Sequence, residues 1–449
     1  MSDNSVTQHV AKAVCGLRYD DLPAAVIDKS RVLIADTLIA AAAGRAEPSG
    51  IAMSAVTGSS SGLSRIWFGD IGESRPPVDA TFINTLNAGA LDFDSLNAAV
   101  HADLVCLPAA WAMAEHCQRQ PREMVAAHMI ASEVVSRLSR GSTKPSKGWS
   151  GTSIYGGMGA AIASGLMLGL DEVQMTHALG LAAAQAAGSQ QANLENTLAK
   201  RLQPALAARD GVFAALLAQA GATAPVFALE GKFGMRNLYQ DGDDSLILEG
   251  WGQDWQVLET LIKRYPICAC SHAAVHALWE LQVADGFKST DVVKLTATIS
   301  PFMHRLVGGE FEPSGDLQVI AQFNLRYQLA STLVRGPMSL PHLSPEAVLD
   351  PVIGNCLPVI HLQVDLDNIH ELSPASVTVQ LKDGRLLNHA CNDLPGSPTA
   401  PLTHEQWQAK ALECAAAGGA SDEAFSGVLS RLERLTELPR LDCVWSEND

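Results

Sequence analysis

The chain has 449 residues, with 31 Lys and Arg against 48 Asp and Glu for a formal charge of −17; 47% of its residues are hydrophobic and 18% charged. That composition is globular, excludes a disordered tail, and at about 150 residues per domain accommodates two or three domains around a sizeable core. A chain this acidic, without a Lys/Arg-rich run, is expected to bind neither nucleic acid nor an anionic membrane, since neutralising phosphate charge drives both associations. An anionic substrate would need a local cationic pocket sunk into the acidic shell.

Nine cysteines at irregular spacing are the pattern of reduced thiols, with no disulfide framework. Residues 1–9 are polar and acidic rather than cationic and apolar, so no export signal is expected and the chain is predicted to be cytoplasmic. The most apolar stretches, 32–43 and 180–188, are shorter than the roughly 20 residues that span a bilayer. They are predicted to be buried helices.

In chain order, Val26, Leu33, Ile34, Leu38 and Ile39 recur at helical spacing, and Gly44 stands where a helix stop belongs. The same Ala-rich pattern returns over 80–91, 107–117, 123–138, 156–170, 171–187 and 204–220, almost without strand-like alternation. Small residues at 156, 157, 159, 160, 161 and 163 let helix axes approach closely, which predicts a compact helical bundle. The composition changes after about Tyr265. Stretches 292–299, 359–366 and 376–381 are β-branched with period-2 alternation, and Lys382-Asp383-Gly384 supplies a turn before Leu386 and Leu387. Helices are predicted between these strands over 323–334 and 344–353, the first stopped at Gly336-Pro337. Thr403 then caps a run to Ala417, and Ser421 starts another with Phe425, Val428, Leu429 and Leu432. These last helices carry too little apolar surface to stand alone and are expected to pack on the first domain. The predicted fold is mainly α: a large all-helical domain formed by 1–266 and 403–449, with a smaller α+β domain over 267–402.

No Walker A sequence, Gly-x-Gly-x-x-Gly fingerprint or His-Glu-x-x-His pair is present, so neither cofactor nor metal is expected. Cys268-Ala269-Cys270 with His272 lacks the second pair that a zinc site needs.

Four segments concentrate polar residues in apolar or Gly-rich surroundings. The first runs from Asn87 to Ser95 and on to His101 and Asp103; Asp92 follows a buried helix, where an ionised carboxylate needs a partner, although a helix end with solvated aspartates reads equally well. In the second, Gly148 to Gly157, hydroxyls and free amides at a helix start form an anion cradle, or plain N-capping by Ser150 or Thr152. The third, Asn196 to Gln203, places Lys200 and Arg201 beside an Ala-rich helix, as a binding pair or as a solvated face. The fourth, Lys263 to His272, sits where a cleft between two domains would fall, or is a linker with surface charges.

In this order the four segments resemble the MmgE/PrpD family over nearly the whole chain. Asn84 to Asp94 is similar to its Asn-Gly-x-x-x-His-x-x-Asp-Phe-Asp-Asp region, and His101 to the histidine ahead of Pro108-Ala109-Ala110. Gly148-Trp149-Ser150-Gly151-Thr152 resembles Gly-Trp-His-x-Thr, Lys200 falls on the lysine of Thr-Lys-x-Leu-His, and Gly211 on the glycine ending that segment. Leu229-Glu230-Gly231-Lys232-Phe233-Gly234 resembles the Leu-Glu-Gly-x-x-Gly turn, and Lys263-Arg264-Tyr265-Pro266 with His272 the Lys-x-Tyr-Pro-x-Cys-x-x-x-His motif.

The resemblance implies a helical domain closed by the last helices, an inserted α+β domain, a homodimer without required metal or organic cofactor, and a small anionic substrate. The family's activities include 2-methylcitrate dehydratase, cis-aconitate decarboxylase and iminodisuccinate epimerase. The chain departs from the family at Thr85 and Gly89. Ser150 stands where dehydratase and decarboxylase relatives commonly carry histidine, Gln203 where the lysine segment usually continues to histidine, and Cys268 where decarboxylase-like relatives carry histidine; losing imidazoles removes the acids that would protonate a departing hydroxide. The implied reading is therefore an epimerase of an iminodisuccinate-like dicarboxylate. Lys200 and His101 would exchange the proton, Asp92 would orient the imidazole, Tyr155 would be a further donor, and Arg201 would help lower the pKa of Lys200. Lys263, Thr152 and Ser153 would stabilise the aci-carboxylate, with Ser150, Cys268 and His272 completing the substrate site. The runner-up is a 2-methylcitrate-type dehydratase. A third reading, from another class, is an inactive member kept as a binding protein.

Overall fold

The computed structural model describes residues 5–58, 60–70, 72–143 and 147–446. The start of the polar N-terminal stretch at 1–4 and the last three residues of the expected first domain lie outside these.

Alanine loses little freedom in a helix, so the Ala-rich runs form helices wherever a cap can start them. Ser5 with Gln8 opens Val6–Cys15, Asp171 with Gln174 opens Glu172–Ala184, and Thr403 with Gln406 opens His404–Ala417, each by a reciprocal capping box. The remaining long helices of the first portion are Ala24–Gly44, Pro77–Gly89, Ala102–His116, Pro121–Arg140, Gly151–Leu168 and Ala199–Gln219. Ala102–His116, Gly151–Leu168 and Ala199–Gln219 begin a turn or more before the apolar pattern suggested, the last two because their first turns are polar or glycine-rich. Pro204, which reads as a helix start, lies inside Ala199–Gln219 and leaves the Lys200 carbonyl without a donor four residues on.

Gly151–Leu168 runs through the centre of the bundle, packed on Ala102–His116, Pro121–Arg140 and Ala199–Gln219. Its small residues permit that. A Cβ at Gly159 would stand 2.4 Å from Val135 Cγ2 and 2.6 Å from Cys106 Sγ, and one at Gly211 would stand 2.3 Å from the Gly157 carbonyl oxygen. Among the described residues of this portion, the only paired strands are Ser64–Arg65 and Ser74–Arg75.

The second portion is built on a four-stranded sheet in the order Ile360–Val364, Val292–Ile299, Ala375–Leu381, Leu386–Cys391. The first pair is parallel, with Leu295 opposite Ile360, and the other two are antiparallel. Helix Ala269–Asp285 lies against Ala375–Leu381 and Leu386–Cys391, and Leu325–Arg335 packs beside it. Side-chain caps set the bounds of the two expected helices: the first begins at Leu325, and the second is divided. Asn324 takes an extended backbone and caps Tyr327, separating Leu317–Phe323 from Leu325–Arg335. Asp350 caps Val352 and separates Pro345–Val348 from Pro351–Cys356.

The chain returns through His404–Ala417 and Asp422–Glu433. Lys410, 3% exposed, crosses to Ala24–Gly44 and donates to Asp36 Oδ1 at 2.5 Å, the Phe93 carbonyl at 2.8 Å and the Lys263 carbonyl at 3.0 Å. Among the described residues no helix is long and apolar enough to cross a membrane.

Gly211→Ala sets a gain in helix propensity of about 1 kcal/mol against overpacking that costs about 1–3 kcal/mol. The contact here is with backbone, which cannot swing aside, so the urea midpoint is expected to fall. An unchanged or raised midpoint would show that the helices are not in such close contact.

Candidate active site

Segments from both portions of the chain meet around one cavity of about 140 Å³, close to the ~150 Å³ of a cavity that holds benzene. Its polar lining includes Asp92, His101, Ser150, Thr152, Lys200, Arg201, Lys263 and Cys268, and its apolar lining includes Phe302, Leu306, Phe323 and Leu372. All four singled-out segments reach it.

Asp92 follows the end of Pro77–Gly89 in a left-handed conformation, φ 52°, which Asp tolerates better than most side chains. It is 2% exposed. Lys200 donates to its Oδ1, while Lys263 bonds its Oδ2 at 2.9 Å and its carbonyl oxygen at 2.8 Å. Burial pushes the Asp92 carboxyl up, but Lys200 and Lys263 outweigh it and hold the group well below its ordinary range. Lys263 is the reciprocal case: burial pushes it down, and Asp92 and Asp94 raise it above its usual value. The Lys200 ammonium also lies 4.8 Å from the centre of the Phe323 ring.

The imidazole of His101 is held by Asp94 and not by Asp92. Its Nδ1 lies 2.6 Å from Asp94 Oδ2, and its backbone N–H donates to Thr152 Oγ1 at 3.0 Å. The expected role of Asp92 is thus corrected: Asp94 takes the His101 ring, while Asp92, on the other side of the fully buried Phe93, takes Lys200 and Lys263. Burial pushes Asp94 up, and His101 and then Lys263 bring it below its ordinary value. With Nδ1 engaged, Nε2 is the nitrogen left for the cavity. Further along the same loop Ala98 and Ala99 also have positive φ, 45° and 65°, so the backbone between Asp92 and His101 is strained.

Ser150, Thr152, Lys200, Lys263, Cys268, His101 and Asp92 line the cavity; Tyr155, Ser153 and His272 do not. Tyr155 lies a turn behind Gly151 and Thr152 and bonds Ser142 Oγ at 2.7 Å and Arg236 Nη1 at 3.1 Å. Ser153 donates to Ser150 Oγ at 2.9 Å, supporting that hydroxyl from behind. His272 lies one turn beyond Cys268, screened by the helix's first turn; burial and then Lys263 push its imidazole down to about 3. It is a neutral core residue. Arg201 also lines the cavity and bonds Gln318, and burial lowers its guanidinium despite Asp316, Glu47 and Asp92.

Sequence reading missed the His101–Asp94 pair, the lining by Gln190 and Asn193 from a short turn, and the apolar lining. The Phe302 and Leu306 spacing was the only available signal, and it does not distinguish cavity from core. Among the described residues no three His, Cys, Asp or Glu side chains are grouped to hold a metal ion.

Two family models cover this arrangement, the MmgE/PrpD N-terminal domain over residues 8–246 and the MmgE/PrpD C-terminal domain over 265–433. The chain belongs to the MmgE/PrpD family. It is 27% identical to human cis-aconitate decarboxylase over 425 residues, 90% of this chain and 87% of that protein. It is 25% identical to a cis-aconitate decarboxylase-like protein of Aspergillus oryzae over 440 residues, 91% and 90% of the two chains. The match to cis-aconitate decarboxylase of Aspergillus terreus is 27% identical over 299 residues and spans 62% of this chain and 60% of that enzyme, under two thirds of its length. The expectation of an epimerase finds no support among these MmgE/PrpD relatives, whose names describe a lyase.

Asp92→Asn would leave the buried Lys263 ammonium and the partly exposed Lys200 ammonium facing a neutral amide, and is expected to cost about 3–5 kcal/mol of stability. The carboxyl is held below its ordinary value of 3.8, so its contribution is fully present above that value and is lost as pH falls below it. Acid titration of stability should therefore be steeper below about pH 4 in the native protein than in Asp92→Asn. Parallel curves would show that Asp92 is not so held.

Proposed function

We propose that this cavity is the active site of a lyase acting on a small polycarboxylate, with decarboxylation of a cis-aconitate-like unsaturated tricarboxylate as its reaction. The observation that carries the reading is that His101 and Lys200 line one small cavity, the first bonded through Nδ1 to Asp94 and the second to Asp92, which it shares with Lys263. Substrate carboxylates would be bound by Lys263, Arg201 and the free N–H groups at the start of Gly151–Leu168, where the helix dipole favours an anion. As the C–C bond breaks and carbon dioxide leaves, its electron pair becomes an allylic carbanion spread into a neighbouring carboxylate. Lys263 would stabilise that charge, and a proton from His101 or Lys200 would be added to carbon.

Lys200, ion-paired with Asp92, presents an ammonium, which suits it as donor and electrostatic partner rather than base. Decarboxylation needs one proton delivered to carbon and no acid for a departing hydroxide. A second reading, a 2-methylcitrate-type dehydratase, is favoured by the His101–Asp94 pair, which could protonate a leaving hydroxide.

Incubation with cis-aconitate in deuterated water should release carbon dioxide and place one deuterium on carbon in the product. Formation of an alkene from 2-methylcitrate would instead favour dehydration, and scrambling of iminodisuccinate without bond cleavage would restore the epimerase. Lys200→Ala and His101→Gln are each expected to lower kcat by about a hundredfold or more. Effects under about tenfold in both would remove the roles assigned to these residues.

A further inference from the structure

Two thiols share the cavity without a part in the chemistry above. Cys268 and Cys270 both line it, beside Lys263. Side chains two apart on a regular helix do not face each other. Cys268, however, is the N-cap of Ala269–Asp285, with φ −55° and ψ 130°, and this non-helical backbone lets both residues line the same cavity. Cys268 keeps partial exposure, while Cys270 is buried. The neighbouring Cys270 lowers the Cys268 thiol below its ordinary value against the effect of burial, with Lys263 adding to it, while Cys268 and burial raise Cys270. Burial instead raises Cys15, Cys106, Cys117, Cys356, Cys391 and Cys414.

We propose that Cys268 and Cys270 form a dithiol modification site in the cavity wall, with Cys268 as the sulfur that attacks hydroperoxides and Cys270 as its resolving partner. Cys268 sulfur takes one oxygen from the peroxide and expels hydroxide, so the sulfur is oxidised by two electrons and the peroxide reduced by two. The Cys270 thiol gives up its proton and displaces hydroxide from the resulting sulfenic acid, forming the S–S bond and releasing water. Residues two apart span at most about 7 Å, near the upper limit of Cα separation in a disulfide. The bridge closes within the segment and withdraws the Cys268 thiol from the neighbourhood of Lys263.

Tryptic cleavage yields residues 265–288 as one peptide containing both cysteines and no other. After brief treatment of the full chain with limiting hydrogen peroxide, this peptide is expected to lose two hydrogens in mass and regain them with dithiothreitol. Cys268 should oxidise at least about tenfold faster than the buried Cys106 or Cys414. In Cys270→Ala, dimedone should trap a sulfenic acid at Cys268; in Cys268→Ala, residue 270 should stay reduced over the same time. A native peptide that stays reduced while Cys117 or Cys356 oxidises, or prior oxidation of Cys270 in Cys268→Ala, would overturn the proposal. The readout is independent of which acid the cavity turns over.

Discussion

Asp92 is the point on which the site depends. A carboxylate removed from water is costly unless it is paired and hydrogen-bonded, and this one is satisfied by ammonium groups from two distant parts of the chain. Lys200 comes from the start of a bundle helix and Lys263 from the segment that leads into the sheet-containing portion. The pairing therefore fixes the relative positions of those segments while it charges the cavity. Lys263 adds geometric constraint by also bonding the Asp92 backbone carbonyl, which helps to hold the residue left-handed.

Behind this pair stands a second buried one. Lys410 and Asp36 are each almost inaccessible, and the lysine's other bonds run to the carbonyls of Phe93 and Lys263, next to the two acidic side chains and at the cationic one. Burial pushes the Asp36 carboxyl up and Lys410 opposes the shift. The returning C-terminal helix thus ties the first long helix to both site-bearing loops. Without it these carbonyls would need other donors in an environment with no water to supply them.

The cavity lining mixes cations, hydroxyls and a helix start with phenylalanine and leucine side chains, and the Lys200 ammonium lies over the Phe323 ring. Burial against the apolar lining strengthens the electrostatics of the polar groups by excluding water. An acidic protein can in this way hold an anion, since the positive charge is local and its counter-charges lie behind it.

The sequence by itself determined the alternation of Ala-rich helices, the switch to β-branched strands after Tyr265, and the return to helix at Thr403, because spacing and capping are local properties. Val292–Ile299 falls at the bounds its pattern marks, and Thr403 caps the helix it was expected to cap. Sequence reading also marked the four segments of the site, since polar residues in apolar surroundings require partners. Only the tertiary structure decided who those partners are. That Asp94 rather than Asp92 takes His101, that Tyr155 turns to Arg236, and that His272 is sealed behind a helical turn all depend on contacts between residues far apart in the chain or on side-chain direction. Periodicity locates a residue on its own element; the partner that settles a buried charge is set by packing between elements.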